Sequence, residues 1–185
     1  MNLLMVELEN PGTDEYYLLK QYIHSDAIAW YWTPSTFSYD ANGIACADDS
    51  KDIGYYGHQI MTRPNKSRPY STIDSSLFQD TYRVLDQIFK HNDIVVSIIY
   101  RINLNVTTHS KIKKTPYHID LEIPHKNLII YMSKFSNGWT YIKTDTEEIK
   151  STPKEDGIIT FGATEHCQSP PKINERRIVM VVCYG

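Results

Sequence analysis

The sequence predicts a mainly β fold, a β-sandwich or barrel with helices packed against one sheet. Two helical stretches precede residue 94, and from there to the end short strand-like segments alternate with turns that are polar or contain Gly or Pro. Runs of strands that follow one or two helices favour this arrangement. The length fits one domain, 1–185, in which 1–93 form a helical and irregular support and substrate region and 94–185 form the core with the candidate site.

Two amphipathic helices are predicted in the N-terminal part. The first spans residues 14–25, where Thr13 is a suitable N-cap. The second is stronger and runs from a cap at Asp74 or Ser75 to about His91. Both carry apolar residues at helical spacing on one face. These are Tyr16, Leu19, Tyr22 and Ile23 in the first helix, and Leu77, Phe78, Tyr82, Leu85, Ile88 and Phe89 in the second.

The remaining elements are predicted to be strands. Residues 27–72 are rich in Tyr, Trp, Pro, Gly and Ser and show little periodicity, so only short strands are expected there. Asn137-Gly138 is expected to form a hairpin turn. The expected strands are Ala29–Thr33, Gly57–Met61, Ile94–Val106, Tyr117–Leu121, Asn127–Ser133, Trp139–Lys143, Gly157–Phe161 and Arg177–Tyr184.

Composition excludes several classes of protein. Apolar residues make up 41% of the chain and the net charge is −3, which is typical of a globular protein and disfavours a dedicated nucleic-acid binder. The three cysteines, Cys46, Cys167 and Cys183, have neither disulfide-framework nor zinc-knuckle spacing and suggest a reducing compartment. No segment has the length of a membrane span or the pattern of a signal peptide. We therefore expect a cytoplasmic protein (in the host cytoplasm if the gene is viral) without a membrane partner; no oligomeric state is predicted.

The most informative motif is His118-Ile119-Asp120 on a predicted strand, followed much later by His166. Alternate residues of a strand share one face, so His118 and Asp120 are expected to point the same way. A histidine from another strand then completes a 2-His-1-carboxylate set, which suits ferrous iron and leaves coordination positions open. This pattern is typical of an oxygenase.

A basic residue follows the distal histidine at the head of the last strand. Arg176 and Arg177 precede an apolar run and must face opposite sides of the strand, so only one of them can enter the site. A guanidinium there can grip a carboxylate through two parallel hydrogen bonds.

The segment from about residue 94 to the C-terminus resembles the iron(II)/2-oxoglutarate-dependent oxygenases, in particular the prolyl-hydroxylase-like branch and its small phage-encoded relatives. The residues that carry the resemblance, in the family's order, are His118-Ile119-Asp120, Asn127–Ser133, Asn137-Gly138-Trp139-Thr140, Ile158–Gly162, His166 and Arg177. About half of the chain is covered. The resemblance implies a double-stranded β-helix core, jelly-roll or cupin-like, with the N-terminal helices packed on one sheet and the metal between two sheets.

The resemblance also implies a chemistry and its cofactors. His118, Asp120 and His166 would be the catalytic residues and the ligands of iron(II). The co-substrates would be 2-oxoglutarate and O2, with ascorbate as a supporting reductant. Such an enzyme hydroxylates a substrate C–H bond and releases succinate and CO2.

Three further residues are candidate co-substrate contacts. Arg177 fits the family's cation for the distal carboxylate of 2-oxoglutarate better than Arg176, because it directly precedes the apolar run. The hydroxyl of Tyr131 would share that carboxylate, or Tyr131 is simply a buried barrel tyrosine. Asn105, in phase with Asn103, either holds co-substrate or substrate or belongs to the polar face of an edge strand.

The sequence does not identify the substrate. Resemblance favours a protein or peptide, with peptidyl proline as the first candidate, or a small molecule; nucleotides and nucleic acid remain alternatives. We expect the N-terminal half and the loop Thr107–Thr115 to choose the substrate, since functional contacts concentrate on loops. Two residue sets are relevant, each with a structural alternative (a solvated loop, and core packing). They are the basic residues Lys111, Lys113 and Lys114, and the aromatic residues Trp30, Trp32, Tyr55, Tyr56 and Tyr70.

Two other functions compete with the oxygenase hypothesis. Two histidines and an aspartate also suit a cupin-like enzyme that uses zinc or manganese. A jelly-roll binding module without activity is the third hypothesis. Arg177 argues against the first alternative, because a hydrolase needs no cation there, and the complete ligand set argues against the second.

Overall fold

Two antiparallel β-sheets pack against each other, and two helices cover the outer face of the larger sheet. The structure is a computed structural model that describes residues 5–34 and 53–185. Cys46, and the part of the predicted N-terminal substrate region between residues 35 and 52, lie outside the described residues.

The helices are α1 (Asp14–Ile23) and α2 (Phe78–His91). The strands are β1 (Val6–Leu8), β2 (Tyr31–Thr33), β3 (Tyr55–Thr62), β4 (Thr72–Ile73), β5 (Ile99–Thr108), β6 (Lys126–Tyr131), β7 (Thr140–Lys143), β8 (Glu148–Ser151), β9 (Ile158–Gly162), β10 (His166–Gln168) and β11 (Arg176–Tyr184). Neither α1 nor α2 is long and apolar enough to cross a membrane.

The protein has two hydrophobic cores, one between the helices and the large sheet and one between the two sheets. The large sheet runs β1-β9-β6-β11-β5-β3-β2, with β4 beside β3, and the small sheet runs β10-β7-β8. Along β11, Ile178, Met180 and Val182 pack against the helices, whereas Val179 and Val181 face the small sheet. The predicted double-stranded β-helix with helices on one sheet is confirmed.

The helix predictions are confirmed in position and corrected in detail. The Thr13 hydroxyl accepts a hydrogen bond from the Tyr16 amide, as expected of an N-cap. Helix α2 begins at Phe78 instead of following a cap at Asp74 or Ser75, because a turn at residues 76–77 precedes it. Two residues assigned to the apolar faces, Tyr22 and Tyr82, are exposed, since each lies at the border of its helix's buried stripe.

The N-terminal part contributes more strand than the sequence predicted. Strands β1 to β4 all belong to the large sheet, and β3 is paired along most of its length with β5. Strands β2 and β3 correspond to the two short strands expected in this region, whereas β1 and β4 were not expected. Short strands are stabilised by their partners more than by their own composition, and those partners are distant in sequence.

One predicted strand does not form. Residues 117–121 contain only a single bridge, between His118 and His166, and no regular ladder. Prolines flank the segment at positions 116 and 124, and a proline has no amide hydrogen to donate to a ladder.

The Asn137-Gly138 turn has the expected backbone but another connection. Both residues have positive φ, 62° and 59°, which is the conformation that favours Asn-Gly. The turn joins β6 of the large sheet to β7 of the small sheet, so the prediction of a hairpin was wrong. A Cβ on Gly138 would lie 3.2 Å from Cδ of Arg177, so the turn passes directly over that side chain.

A partly buried polar contact joins α1 to the turn before β9. The Tyr16 hydroxyl donates to Asp156 Oδ1 at 2.6 Å, and the Lys20 ammonium lies 2.6 Å from the same oxygen. Burial, and next the hydrogen bond to Asp156, raise the pKa of Tyr16, so the phenol stays protonated and donates. The contact joins residues that are far apart in sequence.

We predict that Tyr16→Phe lowers the free energy of unfolding by about 1–2 kcal/mol, because a hydrogen bond to a partly exposed carboxylate is lost. Urea unfolding followed by circular dichroism measures this. Tyr17→Phe, on the exposed side of the same helix, is the control and should leave the midpoint unchanged. Equal midpoints for the two variants would show that the contact contributes nothing.

Candidate metal centre

His118, Asp120 and His166 lie together at the cavity between the sheets. One ligand atom from each residue can be chosen so that all three lie within 4.8 Å of one another. The imidazole centroids are 4.5 Å apart, and His166 Nε2 lies 3.3 Å from Asp120 Oδ2. The structure thus brings together the three residues that the sequence singled out.

Two backbone hydrogen bonds position the histidines. The His118 amide donates to the His166 carbonyl at 3.0 Å, and the His166 amide donates to the His118 carbonyl at 2.9 Å. Two residues further on, Asp120 turns inward, while Ile119 between them is 49% exposed. The predicted alternation of side chains is present although the predicted strand is not.

The histidines are oriented with Nε2 toward the centre. Nδ1 of His166 lies 3.1 Å from the Thr164 carbonyl and Nδ1 of His118 lies 3.5 Å from the Pro116 carbonyl. A ring that donates from Nδ1 keeps a lone pair on Nε2, the usual arrangement in metal ligands. Burial, and next the proximity of His166, lower the pKa of His118 to about 4, so this imidazole is neutral at neutral pH.

Asp120 is a buried carboxylate with one oxygen unsatisfied. Burial alone would raise its pKa, but the adjacent His166, Arg101 and His118 outweigh burial and hold the pKa well below its usual range. Arg101 Nη1 donates to Oδ1 at 2.7 Å. Oδ2 has no hydrogen bond within the described chain, although it faces His166 Nε2. Two electron-pair donors that face each other in a buried site are the environment that a cation would satisfy.

Arg177 is a buried cation that lines the same cavity. It is 3% exposed, whereas Arg176 is exposed, so the structure turns inward the arginine that the sequence favoured. Its Nε donates to the Gly138 carbonyl at 3.0 Å and its Nη2 to Thr140 Oγ1 at 3.1 Å. Burial lowers its pKa to about 10, which leaves it charged at neutral pH. No carboxylate of residues 5–34 or 53–185 forms an ion pair with it, so the site can accept an anion.

Tyr131 and Asn105 occupy different environments. The Tyr131 hydroxyl lies 3.0 Å from Thr140 Oγ1 and 2.8 Å from Ser151 Oγ, and the residue does not line the cavity. It therefore reaches the cavity through Thr140. Asn105 does line the cavity, and its Oδ1 accepts a hydrogen bond from the Asn103 amide group.

The cavity measures about 460 Å³, a size that suits a small organic acid together with part of a substrate. Arg177 and Thr140, which are hydrogen-bonded to each other, line the cavity together with Ile129, and Arg63 and Arg101 line it beside the aspartate that they contact. Its lining also includes Tyr55, Gln59, Met61, Asn65, Asn105, Gln168 and Val181.

Sequence reasoning missed several of these residues. Arg101 shares a face of β5 with Asn103 and Asn105, so the alternation that singled out the asparagines would also have found it. Thr140 and Arg63 carried no local signal, because their contacts with Arg177 and Asp120 join residues far apart in the chain.

The other residues singled out in the sequence have varied positions. Lys111 and Lys113 are exposed, but Lys114 forms an ion pair with Glu148 at 2.6 Å and lies 3.7 Å above the Tyr141 ring. Interpreting all three lysines as one solvated or substrate-facing group was therefore wrong for Lys114. Of the aromatic residues, Tyr55 lines the cavity and Trp30 packs against the helix-side core, while Trp32, Tyr56 and Tyr70 are exposed.

Known structures share this architecture. No family sequence model matches the chain, and no curated protein matches its sequence. A 2OG-Fe(II) oxygenase family oxidoreductase from Burkholderia pseudomallei superposes with a TM-score of 0.65 at 13% identity, covering 98% of this chain and 85% of the other.

Two further solved structures have a similar fold. A prolyl hydroxylase from Trichoplax adhaerens, in complex with a peptide of hypoxia inducible factor, has a TM-score of 0.62 at 11% identity over 97% of this chain and 82% of its own. The epimerase SnoN, in complex with Fe3+, α-ketoglutarate and nogalamycin RO, has a TM-score of 0.56 at 10% identity, covering 97% of this chain and 78% of its own. The chain therefore has the double-stranded β-helix fold of the 2OG-Fe(II) oxygenases.

Proposed function

We propose that this protein is an iron(II)- and 2-oxoglutarate-dependent dioxygenase that hydroxylates a substrate C–H bond. One observation carries the proposal: the same cavity contains a set of donors suited to a cation and a buried cation that lacks an acidic partner within the described chain. A divalent metal would satisfy the donor set, and a carboxylate would satisfy the buried cation, Arg177. 2-Oxoglutarate, with a carboxylate at each end, can interact with both.

His118, Asp120 and His166 would hold the metal. Two neutral imidazoles and one carboxylate suit ferrous iron and leave further coordination positions open. The Nδ1 contacts to backbone carbonyls fix the ring orientations before metal binds. The unsatisfied oxygen of Asp120 is the observation in this chain that most directly supports a metal here.

Arg177 and Thr140 would receive the distal carboxylate of 2-oxoglutarate. The guanidinium is held in place by the Gly138 carbonyl, so it is oriented before the anion arrives. Thr140 is fixed in turn by the Tyr131 hydroxyl, which makes Tyr131 a residue that positions the anion site through Thr140. Asn105 would face the co-substrate or the substrate from β5.

When bound, ferrous iron with 2-oxoglutarate and O2 supplies the oxidation, which yields succinate, CO2 and the hydroxylated product. The chain's own contribution is orientation and exclusion of water. Ile129 and Val181 give the cavity an apolar wall beside the polar residues. Ascorbate as a supporting reductant is part of the same proposal.

Peptides and small molecules are both proposed as substrate classes. The prolyl hydroxylase neighbour is bound to a peptide and SnoN to nogalamycin RO. Peptidyl proline is the first candidate, and nucleotides are the alternative. A zinc- or manganese-dependent hydrolase needs no anion site, and so does not account for the buried charge of Arg177.

Succinate release from 2-oxoglutarate by the iron-loaded protein tests the proposal. The assay is run anaerobically and with O2, against a panel of proline-containing peptides, small metabolites and nucleotides. O2-dependent succinate that a panel member stimulates is the expected result. The proposal fails if the iron-loaded, folded protein forms no succinate with or without a panel member.

We predict that His166→Ala weakens binding of a divalent metal by about 100-fold or more, because one of three ligands is lost. Anaerobic titration with Fe2+ or Co2+ measures the affinity, and circular dichroism checks the fold. His109→Ala, an exposed histidine away from the cavity, is the control. Unchanged affinity in the His166 variant would make the ligand assignment wrong.

Arg177→Ala is predicted to raise the 2-oxoglutarate concentration required for half-maximal turnover about ten- to a hundredfold, the value of one charge-assisted hydrogen bond in a shielded site. Arg176→Ala removes an exposed arginine from the neighbouring position and should have a much smaller effect. Initial rates of succinate formation give the 2-oxoglutarate concentration for half-maximal turnover of each variant. A larger effect from Arg176 would refute the proposed carboxylate site.

The exposed lysines of the loop between β5 and β6 give a separate prediction. Lys111→Gln with Lys113→Gln should impair hydroxylation of an anionic substrate while sparing substrate-free turnover of 2-oxoglutarate. Lys114→Gln is a matched control that disturbs the Glu148 contact instead. Activity that falls steeply with salt would indicate a nucleic acid. Wild-type rates in the double variant would leave both lysines as surface charge.

A further inference from the structure

Asp120 is held by two arginines from distant parts of the chain. Arg101, on β5, donates from Nη1 to Asp120 Oδ1 at 2.7 Å. Arg63, which follows β3, donates from Nη1 to the Asp120 backbone carbonyl at 2.5 Å. Residues 117–121 form no strand ladder and pair with a strand only through the bridge at His118. The two arginine contacts therefore hold Asp120 in position.

We propose that Arg101 is a positioning residue that makes Asp120 a ligand through one oxygen only. By engaging Oδ1, it leaves Oδ2 as the oxygen that faces His166 Nε2. This inference rests on the proposed metal site, and it concerns how that site is prepared by a residue outside the ligand set.

The physical need for such a residue follows from the aspartate side chain itself. The last torsion of an aspartate is broad, so an unrestrained carboxylate can present either oxygen, or both, to a metal. A charged hydrogen bond to one oxygen in a buried site removes that freedom. Asp120 is 6% exposed and the Arg101 side chain 15%, so water competes little for the contact.

The position of Arg101 on β5 directs its guanidinium to Asp120. It stands opposite Cys183 in the pairing of β5 with β11, on the face that looks into the cavity. Asp120 is the acidic residue with which its guanidinium forms an ion pair in the described structure. Burial raises the pKa of the neighbouring Cys183 thiol to about 12, so Cys183 is neutral and offers Arg101 no second negative charge.

The consequence is the number of positions left open on the metal. Two imidazoles and one carboxylate oxygen leave three positions of an octahedral ion for other ligands. A carboxylate bound through both oxygens would leave only two, too few for a chelating co-substrate together with a third ligand. Arg101 would therefore act on reactivity through Asp120 without touching the reacting atoms.

The test uses Co2+ as a redox-stable probe, titrated into the wild-type protein and into Arg101→Gln and Arg101→Lys. Arg176→Gln, a surface arginine, is the control. Arg101→Gln should bind Co2+ about 10–100-fold more weakly, the usual effect of removing a residue that supports a metal ligand. Its visible absorption band should also change in intensity, because the freed carboxylate alters the coordination number. Arg101→Lys, which keeps a charged donor, should restore most of the affinity and the wild-type band.

Each outcome decides the matter. Unchanged affinity and band in Arg101→Gln would overturn the inference, and so would equal losses in both variants with an unaltered band, since that result indicates a merely structural role. If Arg101→Gln does not fold, a crystal structure of the Co2+-loaded wild-type protein decides instead. One Asp120 oxygen on the metal and the other on Arg101 supports the inference; both oxygens on the metal refutes it. Failure of the wild-type protein to bind Co2+ would count against the proposed function itself.

Discussion

The pair of backbone hydrogen bonds between His118 and His166 is the interaction on which the site depends. It ties an irregular segment to the first residue of β10, and β10 is held by β7 in the small sheet. Both imidazoles therefore lie side by side with their Nδ1 atoms near backbone carbonyls. Besides this bridge, the irregular segment before Asp120 has a backbone hydrogen bond from the Thr115 amide to the Gln168 carbonyl, and Asp120 itself is held by side-chain contacts from Arg63 and Arg101.

The strands of the large sheet present one face to the helix-side core and the other face to the small sheet and the cavity. On β11, residues 178, 180 and 182 contribute to the helix-side core, while residues 177, 179 and 181 face the small sheet. The period of two along a strand allows one strand to stabilise the fold and to build the site. A change of register by one residue would exchange the two faces.

Charge organises the cavity. Asp120 is balanced at one oxygen by Arg101 and unsatisfied at the other, while Arg177 is buried against neutral acceptors. The buried charge of Arg177 adds no stability in the protein alone, because burial disfavours a cation that has no acidic partner in the described chain. Such groups are expected at functional sites, where a ligand completes what the chain leaves open. A cation and a dicarboxylate would complete this cavity.

The sequence by itself determined the fold class, the two helices, most strands of the core and the residues that meet at the centre. These features are local: periodicity sets the buried face of a helix or strand, and alternation places Arg176 and Arg177 on opposite faces of β11. The choice of Arg177 came from the resemblance to the oxygenases, and the structure buries Arg177 and exposes Arg176. Only the tertiary structure decided that residues 117–121 form a bridge instead of a strand, that the Asn137-Gly138 turn crosses between sheets, and that Arg63, Arg101 and Thr140 complete the site. These features depend on contacts between segments far apart in the chain, and no local pattern encodes which distant partner a polar side chain will meet.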